Sequence, residues 1–341
     1  MTAAVGITDV ASYLPGEPVP AEFYTGTAAA GDELRGHPMF KVPRSRHHVA
    51  PDETNTDMIE RAVRPLIERH GRKAIRGVDV LLVHSQLPDL PFVGAGTEVA
   101  RRLGLAPEWL VDVANAGCGS FVHMLKLARQ IIGTTRARSA LICNAQSAAG
   151  QWFTQSEVRR LAQAAVPGDG CGVAYVTESA RTPVLDVEAR HIAAHAGDMT
   201  VAVDDGRKYW EPGESQVRIG FTEAGVAKVL ERGNRLVPEV VTALCRRLGV
   251  KTGDIDVLIT NQPNRTFLRN WRDALGLPAE RHLDTFDRCG NLFGAALPVT
   301  LDHAVRAGRV RDGDLVVLAA FAHAGDFAGA AAVRWHGGAS G

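Results

Sequence analysis

The sequence has no surplus of charge of either sign: 38 lysines and arginines balance 38 aspartates and glutamates. A nucleic-acid groove or an anionic membrane surface asks for a basic excess, so neither is expected as a partner. No apolar run is long enough to cross a bilayer. The first ten residues, Met1 to Val10, lack the basic start and apolar stretch of a secretory signal, so the expected location is cytoplasmic. Cysteine is scarce, with five residues at 118, 143, 171, 245 and 289 and no Cys-x-x-Cys pair. An odd number at irregular spacing argues against a disulfide framework and a zinc knuckle, and no metal ligands are expected. A Gly-Lys-Ser/Thr phosphate loop is missing, and Gly117-Cys-Gly119-Ser-Phe-Val lacks the third glycine of a dinucleotide fingerprint. What the chain does have is 45% hydrophobic residues over 341 positions, enough for two domains or one duplicated domain.

The most informative stretch is Val111-Asp-Val-Ala-Asn-Ala-Gly-Cys118-Gly-Ser-Phe121. A hydrophobic run ends in small residues, a cysteine follows between two glycines, and apolar residues then recur at helical spacing to Ile132. The pattern predicts strand, tight turn and helix, with the sulfur lifted out of the packed layer. Glycines tolerate the backbone angles of such a turn. A helix N-terminus favours an anion, so the thiol pKa is expected to fall and Cys118 to act as a nucleophile. A packed core cysteine would not need flanking glycines.

Short apolar runs alternate with amphipathic stretches along the whole chain. Strands are predicted over 78–84, 110–114, 139–145 and 172–177, with helices over 96–103 and 121–132. The second half repeats the theme: helices over 237–248, 264–275 and 294–307, and strands over 256–260, 281–286 and 314–320. Strands alternating with helices predict a mostly parallel, helix-covered sheet in each of two βα halves, 1–180 and 181–341. Residues 196–216, with Tyr209-Trp210, read as a surface excursion over a binding site.

Six ordered motifs give the chain a family resemblance. Ser45-Arg-His-His-Val49 with Pro51-Asp-Glu-Thr54 resembles the "RERHIA…ET" segment of the ketoacyl synthase III group of the thiolase superfamily. Ala114 to Phe121 is similar to its nucleophile turn, and Gly168-Asp-Gly170 to its "GDGA". Thr260-Asn-Gln-Pro-Asn264 falls where the family has "PHQAN", and Asp287-Arg-Cys-Gly-Asn291 where it has "DRHGN". Phe321 to Gly329 replaces its glycine-rich loop. The resemblance implies an α/β thiolase-like fold of five α-β-α-β-α layers from two similar halves, and a homodimer. It further implies a Cys-His-Asn site at the base of a tunnel that admits a pantetheine arm, with no permanently bound cofactor. Acyl-coenzyme A or an acyl carrier protein would be the donor.

The departures carry the functional expectation. Asn291 keeps the family's asparagine, but Asn261 stands in place of its histidine. An amide can donate a hydrogen bond to an oxygen, yet it neither accepts a proton nor carries charge. Malonyl decarboxylation should therefore be impaired, by on the order of a hundredfold or more, while acylation of Cys118 is untouched. The expected enzyme is an acyltransferase of the kind that primes or decorates secondary metabolites such as polyketides and antibiotics. It would move an acyl group through Cys118 to an oxygen or nitrogen of a small acceptor. Such an acceptor must lose a proton, so a general base is needed. His323 with Asp326 is the leading candidate; His84 and His195 are others. Trp152, Phe153 and Asn264, together with His84, are expected near substrate. The alternatives are a condensing or priming ketosynthase that forms a carbon–carbon bond, and a non-catalytic carrier-protein binder.

Overall fold

In the computed structural model, the described residues are 4–24, 34, 36–178, 181–199, 201–203, 205–214, 217–219 and 223–337. Twelve strands matter here: β1 (Val5–Tyr13), β2 (Val80–Ser85), β3 (Trp109–Asp112), β4 (Ser139–Gln146), β5 (Gly170–Glu178), β6 (Val184–His191), β7 (Val201–Val203), β8 (Val217–Ile219), β9 (Val257–Thr260), β10 (His282–Leu283), β11 (Leu315–Ala322) and β12 (Phe327–Arg334). Six helices cover them: α1 (Asn55–His70), α2 (Gly96–Leu103), α3 (Ser120–Thr134), α4 (Glu223–Leu248), α5 (Arg265–Ala274) and α6 (Ala296–Arg306).

Two five-stranded sheets repeat one plan. The first runs β1-β5-β4-β2-β3 and the second β6-β12-β11-β9-β10. In each, the first three strands run antiparallel to their neighbours and the last two join in parallel. The duplication expected from the βα rhythm is thus explicit in the topology.

Helices α3 and α6 pack between the sheets, α1 and α2 cover the outer face of the first, and α4 and α5 cover the outer face of the second. Five layers result, as a thiolase-like chain requires. The sequence of β2 shows why: Val80 and Leu82 enter the central core with Phe121, Leu125 and Leu318, while Leu81 and Val83 enter the outer core under α1. A strand buried on both faces must be apolar at every position, not at alternate ones. Each fully buried Leu, Val or Phe contributes about 1.5–3 kcal/mol.

Several sequence expectations change in detail. The predicted helix at 237–248 begins at Glu223. Gly233 and Pro238 both lie inside α4. Gly233 is there because a Cβ would sit 2.5 Å from Phe267 and 2.8 Å from Phe321. The Gly233 carbonyl accepts the Trp271 indole N–H at 2.7 Å. Phe321 to Gly329, read as a loop, is mostly sheet: β11 runs to Ala322, β12 starts at Phe327, and only 323–326 turn. Strands β1, β6 and β12 were not anticipated. β3 lies on the sheet edge and is largely exposed.

Among the described residues no helix is long and apolar enough to cross a membrane, and no group of three or more His, Cys, Asp or Glu is arranged to hold a metal ion.

Candidate active site

The nucleophile turn is built from left-handed backbone. Ala116 has φ +67° and Gly117 φ +36° before the short helical turn Gly117–Gly119 leads into α3. A non-glycine residue in this region stores on the order of 1 kcal/mol of strain, held here by the packing around it. The two glycines beside Cys118 serve different ends. Gly117 needs its positive φ, and a Cβ on it would lie 2.4 Å from His323 Nε2. Gly119 has an ordinary φ of −95°; its constraint is steric, since a Cβ would meet the Phe327 ring at 2.3 Å.

Cys118 sits half-buried at the foot of an apolar pocket of about 120 Å³, whose wall also carries Asn261, Asn291, Phe153 and His323. An apolar cavity of roughly 150 Å³ holds a benzene-sized group, so this one suits a compact acyl chain. Among the described residues, Cys118 and His323 are the only ionisable side chains on its wall. Burial pushes the Cys118 thiol up to about 12, against a smaller downward pull from a hydrogen bond with the Asn261 side chain. The expected fall in thiol pKa is therefore reversed. The helix end cannot offset removal of the sulfur from water. A thiol held neutral needs a base to take its proton before it attacks.

Asn261 is wholly buried, and both ends of its amide engage one residue. Its Nδ2 donates to the Phe321 carbonyl at 3.1 Å, and the Phe321 N–H donates to its Oδ1 at 3.3 Å. Asn261 thereby pins the end of β11, where the His323 turn begins. Asn291 accepts the Phe293 N–H on its Oδ1 at 3.0 Å.

The turn after β11 has three consecutive left-handed residues: His323 (φ +45°), Ala324 (φ +62°) and Gly325 (φ +114°). This backbone aims the His323 ring at the nucleophile turn. Its Nδ1 lies 3.3 Å from Asp326 Oδ1, which leaves Nε2 facing Gly117. Burial raises the Asp326 pKa, while the adjacent His323 pulls it down. With a carboxylate near one imidazole nitrogen and the other turned toward the Gly117–Cys118 turn, His323 has the placement a general base requires.

The remaining expected residues are placed elsewhere. His84 lies behind the nucleophile turn, not on the pocket wall. Its Nδ1–H donates to the Val113 carbonyl at 2.7 Å, burial lowers its pKa to about 4, and its buried Nε2 has no hydrogen-bond partner. His195 sits on an exposed turn, 3.9 Å from Asp198. Trp152 leans on Phe153 (ring centroids 5.5 Å apart) but gives its indole N–H to the Val217 carbonyl at 2.7 Å, outside the wall. Asn264 is the N-cap of α5, accepting the Phe267 N–H at 2.9 Å, so its position is explained by helix capping. Tyr209 and Trp210 are exposed and away from the pocket, although Met199, within the excursion, and Ile219, just past it, do line it.

Sequence reasoning missed Met39, Phe40, Gln86 and Gln163, which also form the wall. Only Gln86 carried a signal: a polar residue just past the carboxyl end of a buried strand, where α/β folds place ligands.

This fold defines a thiolase-type scaffold of two similar halves, with a cysteine on the wall of its pocket. Comparison with known proteins supplies the family. Models of 3-oxoacyl-(acyl-carrier-protein) synthase III match residues 111–195 and, for its C-terminal region, 245–335. The beta-ketoacyl-(acyl-carrier-protein) synthase III of Xanthomonas campestris pv. campestris is 30% identical over 290 residues, covering 82% of this chain and 83% of that one. The corresponding protein of Rhodospirillum centenum is 30% identical over 301 residues, with 86% and 87% covered. The chain belongs to the 3-oxoacyl-(acyl-carrier-protein) synthase III family. Among solved structures, synthase III of Thermus thermophilus superposes with a TM-score of 0.80 at 25% identity, covering 98% of this chain and 100% of that one. OleA of Xanthomonas campestris gives a TM-score of 0.80 at 17% identity, with 98% and 99% covered, a likeness of fold alone.

Proposed function

We propose that this member of the family is an acyltransferase that carries an acyl group on Cys118 from a coenzyme A or carrier-protein thioester to an oxygen or nitrogen of a small acceptor. The observation that carries the reading is His323, held by Asp326 with Nε2 toward the nucleophile turn, in a site where position 261 is a non-titratable amide. In the first half-reaction, His323 Nε2 takes the Cys118 proton, and the thiolate adds to the thioester carbonyl. The donor thiol then leaves with that proton. In the second, His323 takes the proton of the acceptor O–H or N–H as it attacks acyl-Cys118, and returns it to the departing thiolate. Turnover is ping-pong.

Among the described residues the pocket wall has no lysine or arginine to pair with a malonyl carboxylate, which favours a neutral acyl group. Asn261 and Asn291 are assigned to the acyl carbonyl. The halves 1–180 and 181–341 are the two functional units of one site. We also propose that the protein is a homodimer. β3 is an exposed edge strand bearing Trp109 and Leu110, and Leu90, Phe92 and Val93 stand exposed nearby, more apolar surface than a monomer usually shows.

A condensing synthase is the second reading, favoured by the names of the relatives at 30% identity. Intact-protein mass spectrometry decides. The protein and Cys118→Ala are incubated with a panel of acyl- and malonyl-thioesters. A discrete acyl adduct in the parent only, without carbon dioxide release from malonyl-thioester, supports acyl transfer. Stoichiometric carbon dioxide release supports condensation, and absence of any adduct sinks both.

A further inference from the structure

The turn that presents His323 leans on a cation outside the pocket. Arg232, on α4, donates from Nη1 to the Ala324 carbonyl at 3.3 Å, and the same nitrogen pairs with Asp198. Its side chain is largely buried, and its stem passes so close to Gly325 that a Cβ there would lie 3.1 Å from Arg232 Cδ. Asp198 directly precedes Met199, which lines the pocket. The same segment is anchored to the turn again by the Ile192 N–H, which donates to the Asp326 carbonyl at 2.6 Å. One guanidinium therefore ties the left-handed turn carrying the base to the wall segment that an acyl chain must press on.

We propose that Arg232 is a positioning residue for the deprotonation step. By gripping Ala324 and Asp198 together it fixes where His323 Nε2 stands, and it couples filling of the pocket at Met199 to that placement. The inference rests on the assignment of His323 as the base. Arg232 touches neither the acyl group nor the acceptor. Its charge partner explains the depressed pKa of Asp198, whose largest cause is the hydrogen bond from Arg232. The turn is a single short helical turn with positive φ at all three residues, so an external grip on its carbonyl adds to its precision. Displacement of a catalytic group by about 1 Å can cost on the order of a hundredfold.

The test separates the two half-reactions in the full-length protein. Acylation of Cys118 is followed by mass spectrometry with acetyl-thioester, and the decay of pre-formed acetyl-Cys118 is followed with hydroxylamine, then with a primary alcohol and a primary amine, as probe acceptors. Arg232→Met, Arg232→Lys, His323→Ala and the parent are compared, each first checked by thermal melting. For Arg232→Met we expect acylation and alcohol and amine transfer, which share His323 as base, each to slow about tenfold to a hundredfold, and hydroxylamine, which needs little base assistance, to react with pre-formed acetyl-Cys118 nearly as in the parent. Arg232→Lys should recover part of the loss, since an ammonium reaches one partner but not both in the same geometry. Equal slowing with hydroxylamine and with the alcohol, or transfer at the parent rate in a folded Arg232→Met, overturns the proposal. If His323→Ala slows transfer while Arg232→Met does not, only the role of Arg232 falls. If His323→Ala transfers normally, the base assignment falls and the role of Arg232 with it.

Discussion

Replacing Gly117 by alanine tests the geometry of the site most directly. The new Cβ would arrive 2.4 Å from His323 Nε2, with the neighbouring ring carbons at 3.0 and 3.1 Å. Ordinary contact lies near 3.4 Å or beyond, so one side must yield by about 1 Å. The neighbour that can yield is the end of a side chain, and the ring will swing from the nucleophile turn. Two costs follow. The left-handed φ of +36° costs alanine about 1–2 kcal/mol relative to glycine. This lowers the melting temperature by a few degrees at most. Displacing the imidazole by about 1 Å should slow acyl transfer roughly a hundredfold. The assay is single-turnover decay of acyl-Cys118 with an alcohol acceptor, beside a thermal melt. A folded Gly117→Ala protein that transfers at the parent rate would refute the placement of His323 as the base.

Other outcomes follow from the same structure. Asn261→Ala leaves both the N–H and the carbonyl of buried Phe321 without their side-chain partner, costing about 2–4 kcal/mol; a loss under 1 kcal/mol in urea unfolding contradicts this. His282 is held neutral by burial, with a pKa of about 4 against 6.5 when unfolded. The unfolded chain therefore binds the extra proton between those values, and stability falls as pH drops from 6.5 toward 4. Asp169, raised to about 7 by burial, acts oppositely in the same window, so the readout is a difference. The advantage of the parent over His282→Gln should shrink on acidification by up to about 1.4 kcal/mol per pH unit, and a constant gap from pH 7 to 5 is inconsistent with it. A charge placed on the exposed edge, as in Leu110→Glu, should shift the protein toward monomer in light scattering; an unchanged mass removes β3 from the interface.

The strand–turn–helix around Cys118 was legible because a cysteine between glycines at such a junction has few structural explanations. The central strands were legible because burial on both faces demands unbroken Val, Leu and Ile. β12 was not: its Phe-Ala-Gly-Ala-Ala-Ala-Val-Arg sequence has the small residues of a tightly packed layer and almost no strand propensity. β1 alternates, but a bulge between Ile7 and Asp9 shifts its phase. Site partners fared unevenly for a related reason. His323 and Asp326 stand three residues apart, and local spacing brings them together. Met39, Phe40 and Gln163 reach the pocket only through tertiary folding. Asn264 and Trp152 were attractive by composition, yet backbone groups had already claimed the Asn264 Oδ1 and the Trp152 indole N–H. The thiol pKa went the other way because a helix end is visible in sequence and the depth of burial is not.

The left-handed turn at 323–325 also bears on how such an enzyme changes. Backbone of this kind tolerates glycine freely, admits Asn, Asp and His, and penalises β-branched side chains. Substitution at 323 is therefore channelled. Most tolerated replacements would leave the hairpin between β11 and β12 intact while deleting the imidazole. Gain of a base at this point needs a single residue, and so does its loss. Stability offers little resistance in either direction, so chemistry can diverge here while the scaffold stays still.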